Sequence, residues 1–217
     1  MNSEYERNKQ VGVRQNSSSF GRVERMPPLL MMCYLIMVAI SIMFVMLVAA
    51  YVATRLRSGV STGLHALPRY FSLSTIVLLV SSYTMGQARR LYAQDELGSL
   101  ARSLGATLLL GCIFSGLQVL GWRDLMTQGV LFQGSTSTSS GQFIYLISAL
   151  HVVHLLGGML FLLALLLRVT HADRDAVRAL VFIRNPYYRR QLQLLGTYWH
   201  FIDVLWVALF AVFLFMY

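Results

Sequence analysis

Charge disappears from this chain in blocks. Residues 26–54, 70–88, 103–122 and 125–167 contain no Asp, Glu, Lys or Arg, and a fifth run over 194–217 is broken only by Asp203. About 20 apolar residues in a helix cross the roughly 30 Å hydrocarbon core of a bilayer. The block at 125–167 is too long for one crossing. Its first part reads as a loop, through Thr127-Gln128-Gly129 and the Ser-rich stretch from Gln133 to Gly141. The pattern therefore predicts an all-α fold, a polytopic membrane bundle of five transmembrane helices at about 29–54, 70–88, 103–122, 142–168 and 194–216. Residues 1–27, rich in Asn, Gln and Ser and closed by Pro27-Pro28, read as a mobile tail, and 28–217 as the membrane domain.

Composition agrees: 56% of residues are hydrophobic and 12% charged, against roughly a quarter charged in a soluble domain. The net charge of +9 changes the picture through its placement. All 18 Lys and Arg residues lie outside the helix cores. With the N-terminus cytoplasmic, fourteen fall on the cytoplasmic side and only Arg55, Arg57, Arg69 and Arg123 on the other. The positive-inside rule then gives a cytoplasmic N-terminus and a periplasmic C-terminus. Basic character is thus a topology signal with some attraction for anionic lipid, and nucleic acid is not expected as a partner.

The tail lacks the apolar core and small-residue cleavage site of a signal peptide. It carries Glu4, Glu6 and Glu24, unlike an acid-free transit arm, which favours a bacterial inner membrane. Cys33 and Cys112 lie in separate predicted helices without Cys-x-x-Cys spacing, so a thiolate metal centre is not expected.

Small residues mark expected packing seams. Gly111 with Ser115 and Cys112 with Gly116 are small-xxx-small pairs in the third segment, and Gly157-Gly158 sits mid-way along the fourth. The stretch 169–193 reads as an inner loop ending in an interfacial segment, Asn185-Pro186-Tyr187-Tyr188.

Candidate chemistry is confined to a few polar side chains. His151 and His154 lie on the fourth segment and His200 on the fifth. Three residues apart on one helix, His151 and His154 share a face and cannot clamp opposite sides of one haem. They read as polar anchors, hydrogen-bonded to helices, subunits or lipid phosphates, and no metal site or catalytic residue is assigned. Asp203 is the one carboxylate in any membrane-length segment, where insertion scales charge about 2.5–3.5 kcal/mol for it. Trp199, Asp203 and Trp206 follow i, i+4, i+7, with His200 three residues before Asp203. Three readings stay open: a proton relay through Asp203, a structural cluster pairing Asp203 with His200 or a partner's Arg, and a lipid-headgroup site.

The stretch Tyr198-Trp199-His200-Phe201-Ile202-Asp203-Val204-Leu205-Trp206 resembles the C-terminal signature of cytochrome c oxidase subunit III, from the haem–copper oxidases. Ser140-Gly141-Gln142-Phe143-Ile144-Tyr145 followed by His151-Val152-Val153-His154-Leu155-Leu156-Gly157-Gly158 resembles that family's second signature. Gln118 and Trp122, Leu67-Pro68 with Ser81-Ser82, and Ala50-Tyr51 with Arg55 fall in the family's order, so the resemblance covers about 28–217. Two carboxylates common in the family are missing, replaced by Ile40 and Gly121. The chain resembles the short five-helix form, without the two leading helices that shape a lipid cleft in the longer one.

The resemblance implies an accessory subunit of a respiratory terminal oxidase that passes electrons from cytochrome c to oxygen and builds a proton gradient. Haem and copper would reside in partner subunits, with none bound by this chain. Its implied work is to pack against subunits I and II, with a small subunit IV, to hold structural phospholipid and to sustain proton uptake. A quinol oxidase is the alternative within the class. A stand-alone proton-coupled transporter using Asp203 is the alternative outside it, disfavoured by the single carboxylate and the lack of an internal repeat.

Overall fold

The computed structural model describes residues 28–57, 69–127 and 139–216, and the expected tail and the loops over 58–68 and 128–138 lie outside them. Among the described residues there are six helices and no strand. They are α1 (Pro28–Arg57), α2 (Arg69–Ala93), α3 (Leu97–Thr127), α4 (Ser139–Ala172), α5 (Ala176–Arg184) and α6 (Pro186–Met216). Four of them, α1, α3, α4 and α6, are long and apolar enough to cross a membrane. The chain is a multi-pass membrane protein by that measure. The fifth expected span, α2, is more polar, because Ser72, Ser74, Thr75, Ser81, Ser82, Thr84 and Gln87 interrupt its apolar positions.

Every long helix outruns the charge-free block that predicted it. Helical hydrogen bonding does not require apolar side chains, and Arg and Gln are good helix formers whose long stems reach back toward water. The largest extension at a single end is in α6, which starts at Pro186 rather than 194. Asn185 explains the start: its Oδ1 accepts from Tyr187 N at 3.0 Å, and Pro186 occupies the first helical position, where no N–H is needed. The expected inner loop is therefore mostly helix. It includes α5, which opens where the Asp175 carboxylate accepts from Val177 N at 3.1 Å.

Between α2 and α3 only residues 94–96 intervene. Asp95 has φ 61, and its N–H bonds Tyr92 O at 3.3 Å while Glu96 N bonds Leu91 O at 3.2 Å. That pair of bonds is a Schellman ending, with Asp in the left-handed position usually given to Gly or Asn.

By compactness the chain divides into Met1–Ile36 and Met37–Tyr217. In the first unit the described residues are the opening turns of α1. In the second, α2 lies against both α3 and α6. The α2–α3 seam is polar and antiparallel: Ser103 Oγ donates to Thr84 O at 2.7 Å, Thr84 and Thr107 hydroxyls meet at 2.8 Å, and Gln118 Nε2 donates to Ser74 Oγ at 3.0 Å. Between helices in an apolar medium such bonds contribute about 0.6–2 kcal/mol each. The last part of α1 runs parallel to α6, since Tyr51 meets the Phe213 ring at 5.9 Å and Arg55 Nε donates to Met216 O at 2.9 Å.

Small residues sit at some of these seams and not at others. A Cβ on Gly111 would lie 3.2 Å from Met159 Sδ, and one on Gly158 would lie 3.0 Å from Tyr198 Cε1. Gly116 and Gly157 face open space, and Cys112 is exposed. Ser115 returns its hydroxyl to Gly111 O at 3.0 Å. The tandem glycines should therefore separate in a thermal melt of the purified chain. Gly157→Ala is expected to stabilise by about 1 kcal/mol through helix propensity. Gly158→Ala is expected to destabilise by about 1–3 kcal/mol because the Tyr198 ring must move. Equal effects would show that the α4–α6 approach does not depend on Gly158.

Candidate functional site

The inward face of α6 carries the polar and aromatic residues singled out above, and α2 supplies their partners. Trp199 Nε1 donates to Ser81 Oγ at 3.2 Å and Trp206 Nε1 to Thr75 Oγ1 at 3.0 Å. His200 Nδ1 shares a 2.8 Å hydrogen bond with the Ser82 hydroxyl. Six residues separate Thr75 from Ser81 and seven separate Trp199 from Trp206, about two turns on each helix. Antiparallel packing thus brings both indoles onto hydroxyls in one register.

Trp206 is also the centre of an aromatic group drawn from four helices. Phe71 of α2 stacks on it at 6.2 Å, Phe114 of α3 meets it edge-on at 5.2 Å, and His151 of α4 lies 4.9 Å away. His151 is fully buried, bounded also by Phe44 and Phe114, and neither ring nitrogen has a hydrogen-bond partner among the described residues. His154, one turn on, also faces Phe44, at 5.8 Å. Its Nδ1 lies 2.7 Å from Leu150 O. A carbonyl only accepts, so Nδ1 carries the proton. Its link to α6 runs through the backbone, where Tyr198 donates to His154 O at 3.1 Å.

Asp203 behaves differently from its neighbours. It is 3% exposed, and neither carboxylate oxygen has a hydrogen-bond partner among the described residues. His200 turns to Ser82 rather than to Asp203, although Ser82 also lies beside the carboxyl group. The same interior holds Gln118 Oε1, likewise without a partner among the described residues. An unpaired buried acceptor costs about 1–3 kcal/mol, more when charged. At neutral pH Asp203→Asn is accordingly expected to raise the thermal stability of the purified chain. A lower melting temperature would reveal a partner for the carboxylate.

The sites of the two missing carboxylates are filled. Ile40 is buried one turn before Phe44. A Cβ at Gly121 would lie 3.0 Å from Phe71 Cε2, so the ring occupies the space a longer side chain would need. Gly121 thus leaves room for the Phe71 ring that stacks on Trp206.

Aromatic rings enclose His151, His154 is turned to its own backbone, and His200 is turned to α2. Among the described residues no three His, Cys, Asp or Glu side chains form a group able to hold a metal ion. Sequence reasoning did not pick out Thr75, Phe44, Phe71 or Phe114 as partners. Ser81-Ser82, a polar pair inside an apolar run, was the available signal for the α2 contribution.

The fold defines a multi-pass helical membrane protein. The chain is 30% identical over 143 residues to the cytochrome bo(3) ubiquinol oxidase subunit 3 of Pseudomonas aeruginosa, covering 66% of this chain and 62% of the relative. It is 30% identical over 142 residues to the probable cytochrome c oxidase subunit 3 of Mycobacterium tuberculosis, covering 65% and 64%. With the cytochrome c oxidase subunit 3 of Bacillus sp. strain PS3 it shares 29% over 175 residues, covering 79% and 78%. The matches span 62–64% of the length of the first two relatives, and no family model matches the chain. The chain is thus similar to subunit 3 proteins of cytochrome c and ubiquinol oxidases.

Proposed function

We propose that this chain is a non-redox subunit of a respiratory haem–copper terminal oxidase in a bacterial inner membrane. In this reading it crosses five times, with α2 as the fifth span, the N-terminus in the cytoplasm and the C-terminus in the periplasm. It packs against subunits I and II, beside a small subunit IV, holds phospholipid, and sustains proton uptake while the complex passes electrons from cytochrome c to oxygen. The observation that carries the reading is the meeting of the two family-like stretches: the His151 ring of α4 lies 4.9 Å from Trp206 of α6. The enclosure of the histidines supports leaving haem and copper to the partner subunits.

A quinol-oxidising complex is the second reading, favoured by the likeness to a ubiquinol oxidase subunit 3. Purification in mild detergent through a tag on this chain tests both. Haem bands and co-purifying oxidase subunits are expected, and a colourless solitary protein overturns the proposal. A dicopper signal from subunit II separates the cytochrome c user from the quinol user.

A further inference from the structure

Where α2 ends against α5 and α6, the surface opens into a cavity of about 650 Å³ lined by Arg89, Arg90 and Arg189 together with Tyr92, Asp95 and Gln193. None of the three guanidinium groups makes a hydrogen bond or ion pair among the described residues; the one ion pair there joins Arg178 to Asp175. With Asp95 the one acid in the lining, the cavity keeps a positive excess. Its back wall is fixed. The Tyr92 hydroxyl donates to Ile183 O at 3.1 Å, tying the end of α2 to α5. Arg89 Cδ lies 3.9 Å from the Cβ position of Gly196, so its stem rests along α6.

The position relative to the apolar surface identifies the ligand. Arg89 and Arg90 directly follow the charge-free block 70–88. Gly86 lines the cavity and has nothing within 4 Å of its Cβ position. Beyond it the same helix face continues through the exposed side chains Tyr83, Val80 and Ile76, three and four residues apart. An anion held at the arginines would therefore have an apolar trough running toward the bilayer centre. A soluble phosphate would use only the first half of this arrangement.

We propose that this cavity binds the phosphate of an anionic phospholipid, with Arg89, Arg90 and Arg189 on the headgroup and the Ile76–Val80–Tyr83 face along an acyl chain. Arginine suits this role because its planar fork pairs with two phosphate oxygens at once. The inference gives the lipid-holding part of the proposed function a specific site, and rests on that reading only in placing the chain in a membrane.

The test uses the complex as purified through this chain, washed in mild detergent, with bound phospholipid counted per copy of the chain by native mass spectrometry and lipid extraction. Two altered forms are compared with the wild type. One combines Arg89→Gln with Arg189→Gln. The other is Gly86→Trp, which fills the cavity and leaves every charge in place. Each is expected to lose one tightly held anionic phospholipid, with retention weakened about tenfold or more. An unchanged lipid count in both, or a wild type that retains inorganic phosphate or nucleotide there instead of phospholipid, overturns the site. Haem content is read separately: a colourless preparation counts against the oxidase reading, while the lipid count on the solitary chain still decides the site.

Discussion

Trp206→Ala is expected to destabilise the purified chain by about 3–5 kcal/mol, toward the lower end in detergent or lipid. The indole is fully buried and is in contact with rings from α2, α3 and α4 at once. Removing it opens a void that Phe71, Phe114 and His151 cannot close together, because each is held by its own helix. Detergent and lipid tails are themselves apolar, so little of this loss is hydrophobic transfer; it is lost contact and lost packing. Trp206→Phe separates the contributions. It keeps most of the ring and gives up the hydrogen bond to Thr75, which is expected to cost about 1 kcal/mol. Thermal unfolding monitored by circular dichroism checks the order. If Ala and Phe lower the midpoint equally, the aromatic group is not the centre of stability.

The second large effect concerns Gly121. Placing a carboxylate there, as Gly121→Glu, is expected to destabilise by more than about 3 kcal/mol, since it overpacks the seam and buries a charge against Phe71. Phe71→Ala removes the ring that lies 3.0 Å from the Gly121 Cβ position. The double variant should therefore be less destabilised than the sum of the two single changes, with a coupling of about 1–3 kcal/mol. Strict additivity would mean that the small residue at 121 and the large one at 71 are independent choices. Coupling would mean that the small residue at 121 is what makes room for the ring at 71.

Much of the helical architecture was legible in the distribution of charge, because each block free of Asp, Glu, Lys and Arg contains the middle of a long helix. Helix ends were not legible in that way. Asn185-Pro186 reads as an interfacial loop until its side-chain cap is seen, yet it starts a 31-residue helix. The short α5 was hidden for a related reason: nine residues with Arg178 and Arg184 among them look like a charged loop. Its one advance signal was Asp175 in capping position. At the candidate site, the helical spacing of Trp199, Asp203 and Trp206 put them on one face, and all three are buried. What lies opposite that face depends on the register between α2 and α6, which no local pattern encodes. That register gives His200 to Ser82 and leaves Asp203 without a hydrogen bond among the described residues.

The serines and threonines of α2 carry a consequence for how the protein is made. Under the five-crossing reading, α2 is too polar to leave the insertion machinery for lipid by itself. Ser74 and Thr84 meet Gln118 and Thr107 only once α3 has emerged, whereas Thr75, Ser81 and Ser82 meet their side-chain partners only with α6. The three residues between α2 and α3, closed by the left-handed Asp95, bring α3 alongside immediately. Synthesis of this chain would then release α2 with α3 as a hairpin whose Ser74–Thr84 side is covered and whose Thr75, Ser81 and Ser82 await α6.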